Sequence, residues 1–168
     1  ADWEAAMREA GAPEEPGELA NDHAGNYTLE TFINGANDGF GFATWDLWNT
    51  PATLGESTAG GGGDLNSTNG YSFRFMGDGT GGYCNGKRNF DGAMWENEVL
   101  TFTFTYNYDG GGRGVDIFSA GGQFANLIDV SPGNVFKVNG ATISTEYSPG
   151  AVVDVEITQQ AGGIQTYL

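Results

Sequence analysis

Cysteine is nearly missing from this chain: Cys84 is the only one among 168 residues, so no internal disulfide can form. It reads as a small buried or semi-buried side chain rather than a reactive thiol. Basic residues are scarce too, six against 22 acidic ones, for a formal net charge of −16. A surface of that sign repels phosphate backbones and anionic lipid, which argues against nucleic acid and against an anionic membrane face. His23 is the sole histidine, and one histidine with one cysteine cannot complete a closed zinc site. No apolar run approaches the roughly 20 residues of a spanning helix, so no membrane insertion is expected. A Gly-x-Ser-x-Gly elbow and a Gly-Lys-Ser/Thr phosphate loop are both absent.

Glycine and aromatic residues are abundant: 29 glycines, with four Trp, seven Tyr and eleven Phe. Glycines serve turns and aromatics serve strand faces, a combination that indicates many short strands joined by tight loops. The clearest pattern lies at 99–108, Val-Leu-Thr-Phe-Thr-Phe-Thr-Tyr-Asn-Tyr. Leu100, Phe102, Phe104, Tyr106 and Tyr108 fall on one strand face, and Thr101, Thr103, Thr105 and Asn107 on the other. A regular threonine face is also a feature of ice-binding surfaces, but neighbouring segments carry no matching array, so an outer sheet face is expected. Further strands are expected at 27–33, 40–48, 71–76, 115–120, 124–130, 135–138, 142–147, 152–159 and 164–168. Asn139-Gly140 between two of them is a tight-hairpin signal, because both residues tolerate positive φ. Strands in this number with no helices between them pair antiparallel, so the expected fold is all-β: an antiparallel β-sandwich of jelly-roll, lectin-like type.

A short N-terminal helix is expected at 2–10, capped by Asp2, with Trp3, Met7 and Ala10 on one face. Gly11 and Pro13 end it, and a Pro/Glu-rich linker follows. The expected organisation is thus 1–21 as helix and linker, and 22–168 as one β-sandwich domain. A start at Ala1 reads as a mature or excised product, and the acidic, lysine-poor composition fits a secreted, extracellular or cell-surface protein. Asn26-Tyr27-Thr28 and Asn66-Ser67-Thr68 match the N-glycosylation acceptor pattern. The segment 164–168 reads as a returning edge strand, of the kind that accepts another chain.

Three chemistries remain open. Asp154 and Glu156 share one strand face at i, i+2, and Glu96 and Glu98 form a similar pair beside Trp95, so glycoside hydrolysis by paired carboxylates is one alternative. The laminarinase-type pattern of a third acid is not met, since Val152 and Gln159 stand at the flanking positions. One structural calcium is a second possibility, with oxygen ligands in the loops at 34–39, 78–82 and 109–116; Asp109 and Asp116 are the candidate metal residues. Carbohydrate recognition is the third, because sugar C–H patches stack on rings while hydroxyls need amides and carboxylates. Trp48 with Asn49, and Tyr83, Asn85 and Arg88 with Trp95 and Asn97, are the candidates; Trp45 is expected in the core.

Asn26-Tyr27-Thr28, the run from Asn34 to Phe42 with Trp45, Tyr71-Ser72-Phe73-Arg74-Phe75 and Arg88-Asn89-Phe90 resemble the concanavalin-like jelly-roll modules of large secreted bacterial proteins. That resemblance implies a non-catalytic module that accompanies polysaccharide-active enzymes or surface proteins. The leading expectation is an extracellular module, not an enzyme, that binds polysaccharide through exposed aromatics. The alternatives are a self-assembling subunit of a filament, sheath or surface layer, which partners neighbouring copies of itself, and a glycoside hydrolase.

Overall fold

Eleven strands form among the described residues, which in this computed structural model are 19–48, 52–56, 65, 70–76, 84–106 and 112–167. In chain order they are β1 Asp46–Trp48, β2 Ala52–Glu56, β3 Tyr71–Phe75, β4 Asn85–Lys87, β5 Val99–Thr105, β6 Arg113–Phe118, β7 Phe124–Ser131, β8 Val135–Val138, β9 Ala141–Ser144, β10 Val152–Gln160 and β11 Gly163–Tyr167. The one helical element described is a 3₁₀ turn, Ala24–Asn26. The described residues are therefore of the all-β class, and the strand pairs whose register is known are antiparallel. The helix expected at 2–10 and its linker lie outside the described residues.

The chain divides into two compact units, Ala1–Thr53 with Phe75–Asp91, and Leu54–Arg74 with Gly92–Leu168. Residues 22–168, expected as one domain, are shared between them. In the second unit the strand orders are β11-β10-β5 and β6-β7-β8-β9. Alternation decides which side of each strand is dry. Val153, Val155 and Ile157 of β10 stand opposite Phe104, Phe102 and Leu100 of β5. These side chains share a hydrophobic core with Ile117 of β6, Ile128 and Val130 of β7, Phe136 and Val138 of β8, and Tyr147. The intervening residues face outward: Thr103 Oγ1 donates to Asp154 Oδ1 at 2.7 Å, and Thr105 Oγ1 to the Ala151 carbonyl at 3.0 Å. Thr101 and Thr103 thus stand opposite the carboxylates of Glu156 and Asp154 across the ladder, on an outer sheet face.

The hairpin expected at Asn139-Gly140 joins β8 to β9, with φ of 48° and 78° at the two residues. Two other expectations fail for local reasons. No strand forms at 27–33, because Thr28 and Thr31 bond their own backbone: Thr31 Oγ1 accepts from the Thr28 N–H at 2.7 Å, and the Phe32 N–H donates to the Thr28 carbonyl at 3.0 Å. The strand expected at 40–48 shrinks to β1 and isolated bridges at Phe40 and Phe42, since the Ala43 and Phe42 carbonyls accept from Arg88 instead of a neighbouring strand. Asn85-Gly86-Lys87, a poor strand sequence by composition, nevertheless forms β4 opposite β1. Gly86 is required there, because a Cβ would lie 2.5 Å from the Phe75 ring and 2.7 Å from Leu47 Cδ2.

Candidate functional site

The most densely bonded group in the first unit is centred on Asp22. Its Oδ2 accepts from the Tyr27 hydroxyl at 3.0 Å and the Trp45 indole N–H at 3.1 Å, and it pairs with Arg88 Nη1. Arg88 Nε donates to the Ala43 carbonyl at 2.7 Å, and Nη2 to Asn37 Oδ1. Its guanidinium lies 5.0 Å from the Phe42 ring centroid and 5.5 Å from that of Trp45. The side chains of Arg88 and Asp22 are 4% and 6% exposed. Burial, and then the negative charge of Asp22, push the Tyr27 phenol above its ordinary pKa. Arg88 was expected on a sugar-binding face; it is instead walled in, and its guanidinium is engaged in holding loops together. Trp45, expected in the core, is half-buried and packs edge-on against Phe32 at 5.5 Å. Asn34 and Asn37, considered as calcium ligands, accept from the Leu47 N–H and from Arg88 respectively.

The other candidates divide between the units. Trp48 and Asn85 are directly opposite each other on β1 and β4. Trp48 is half-buried, and Lys87 Nζ sits 5.6 Å from its ring centroid while pairing with Asp46 at 3.4 Å. One face of that indole already holds a cation. Asn49 and Tyr83 lie outside the described residues.

Trp95 and Asn97 belong to the second unit, on the turn that leads into β5. The Glu98 N–H donates to the Trp95 carbonyl at 3.1 Å, closing a four-residue turn with Glu96 and Asn97 at its centre. Asn97 has φ 71°, the left-handed geometry that asparagine accepts more readily than most residues. The Glu98 carboxylate reaches back to accept from the Trp95 N–H. On the other side the Asn97 N–H donates to the Gln159 carbonyl at 2.7 Å, and the Gln159 N–H to the Glu98 carbonyl at 3.0 Å. The turn is therefore tied to β10 by main-chain bonds. Its tryptophan is 73% exposed, more than any other large apolar side chain described. No ring or cation contact covers that indole among the described residues.

Of the paired acids, Glu98 is taken up by this turn, while those on β10 and on β6 and β7 stand apart from its hydrogen bonds. Asp154 and Glu156 are exposed on the outer face of β10. Asp116 on β6 and Asp129 on β7 are diagonal neighbours, since Asp116 stands opposite Leu127 and Asp129 opposite Gly114. Partial loss of hydration, and then the charge of Asp129, raise the Asp116 carboxyl above its usual pKa. Asp109 lies outside the described residues, and among those described no three histidine, cysteine or acidic side chains gather as a metal site would need. A carboxyl with a raised native pKa penalises the fold only while ionised, so the penalty fades as pH falls through that value. Solvent screening at this exposed position keeps the penalty small, so Asp116→Asn is expected to stabilise the protein slightly at neutral pH, by less than about 0.5 kcal/mol, and by nothing near about pH 3, read by urea unfolding at both.

The tyrosine hydroxyl of Tyr106, strongly buried beside Tyr147, is also raised well above its ordinary value and stays protonated throughout the neutral range. No family model, curated protein or solved structure matches the chain.

Proposed function

We propose that this protein is a non-catalytic, secreted module that binds polysaccharide, with Trp95 as its stacking platform. The observation that carries this reading is the combination of exposure and fixation at that residue. Leaving an indole in water is unfavourable, and the backbone that presents this one is held on both sides, by the Glu98 carboxylate at the Trp95 N–H and by the Glu98 N–H at the Trp95 carbonyl. A sugar ring stacking on the indole removes apolar surface from water, while Asn97 and Glu96 offer an amide and a carboxylate to its hydroxyls. The framework we infer for the second unit is a β-sandwich, its two sheets enclosing the core shared by β5, β7, β8 and β10.

Burying roughly 80 Å² of indole at about 25 cal/mol per Å² supplies about 2 kcal/mol. Trp95→Ala is therefore expected to weaken binding in a polysaccharide pull-down by at least about tenfold. Its unfolding midpoint in urea should stay where the parent's is, because the side chain is mostly exposed and the turn's bonds use the Trp95 main chain. Unchanged binding by the variant would remove the proposal.

A second reading, self-assembly, is favoured by one feature: β9 is an edge strand that exposes Ile143, beside an apolar groove lined by Phe136, Ser144, Tyr147 and Val153. Sedimentation over a wide concentration range separates the two, since only assembly makes the mass grow with concentration.

A further inference from the structure

Resting on the reading of Trp95 as a sugar platform, we infer that the ligand is a neutral, hydroxyl-rich polysaccharide, and that Glu96 is the residue that selects it over acidic ones. In the Trp95–Glu98 turn the two carboxylates have different circumstances. Glu98 is committed to the Trp95 N–H, whereas Glu96 occupies a central turn position, directly after Trp95 in the chain, and is exposed. A carboxylate accepts hydrogen bonds from neighbouring sugar hydroxyls, but it repels a uronate or a sulfate.

Recognition of an acidic glycan needs a cation, and the turn itself carries none. The second unit contains only Arg74, Arg113 and Lys137 as bases, and Arg74 stands on β3, outside the β11-β10-β5 sheet that the turn leads into. The Arg113 guanidinium lies 5.8 Å from the Tyr106 ring centroid, and Lys137 stands opposite Asp129 in the β7–β8 ladder. The net charge of −16 adds a repulsive background of the same sign.

The test is a titration of the whole protein, followed by tryptophan fluorescence, with hydroxyethyl cellulose, xylan, galactomannan, polygalacturonate and glycol chitosan. At low ionic strength the best neutral polymer should bind at least about tenfold more tightly than polygalacturonate. The gap should narrow in about 0.5 M salt, where the Debye length shrinks to about 4 Å. Glu96→Gln should strengthen polygalacturonate binding about threefold, the effect of removing one charge about 7 Å from another in water, while weakening the neutral polymer. Opposite changes of that kind do not arise from a loosened turn. Polygalacturonate binding as tight as the best neutral polymer, or a preference for glycol chitosan, overturns the neutral-ligand assignment and leaves the platform in place. Binding to none of the five removes the platform reading itself.

Discussion

Replacing Arg88 by alanine is expected to cost about 3–5 kcal/mol of folding free energy, the range found when one partner of a buried ion pair is removed. The size follows from what remains behind. Asp22 would keep the Tyr27 and Trp45 donors but lose its countercharge, at a site where it is 6% exposed. The Ala43 carbonyl and Asn37 would lose a donor in the same step, and the Phe42 and Trp45 rings their guanidinium. Arg88→Lys separates charge from geometry. An ammonium restores the charge, but it cannot form the planar fork that reaches Asp22, Asn37 and two backbone carbonyls together. The lysine variant should therefore recover less than half of the loss, read by urea unfolding with tryptophan fluorescence. An alanine variant within about 0.5 kcal/mol of the parent would show that the network holds nothing together.

Phe136→Ala should cost a similar amount, about 3–5 kcal/mol, by a different mechanism. Phe136 is 5% exposed, and its ring lies parallel to that of Phe104 at 6.2 Å and close to Tyr147 at 6.0 Å. Truncation removes the transfer free energy of the ring and leaves a void bordered by residues of β5, which strand hydrogen bonds hold in place, and by Tyr147, whose hydroxyl donates to the Ala151 carbonyl at 2.7 Å. Phe136→Leu retains most of the volume and should cost less than about 1.5 kcal/mol. Circular dichroism during urea unfolding measures both. Equal losses for Leu and Ala would mean that the site collapses around either side chain and that the ring stack contributes little.

Much of the second unit was legible from short-range pattern. The alternation in 99–108 places Leu100, Phe102, Phe104 and Tyr106 against the core, and Asn139-Gly140 turns as its two positive-φ residues require. The segment expected at 135–138 is β8 residue for residue. These features depend on neighbours two residues apart or on the conformational range of a single residue, so the local sequence carries them. In the first unit the same reasoning misplaced strands at 27–33 and 40–48, because side chains there displace the ladder. Thr28 and Thr31 bond locally, and Arg88 takes carbonyls that a strand would have used.

By itself, then, the sequence determined the sheet class, the dry face of β5, the hairpin at Asn139-Gly140 and the negative charge that any ligand must tolerate. Only the tertiary structure decided which polar and aromatic residues are accessible. Asp22, which no local pattern distinguishes, meets Trp45 across 23 residues and Arg88 across 66. Arg88, adjacent to Lys87 in the chain, is buried, while Lys87 remains exposed over Trp48. Trp95 stands free because Glu98 and β10 fix the turn below it. Exposure depends on contacts between distant segments, and composition and periodicity do not encode which of several tryptophans those contacts will cover.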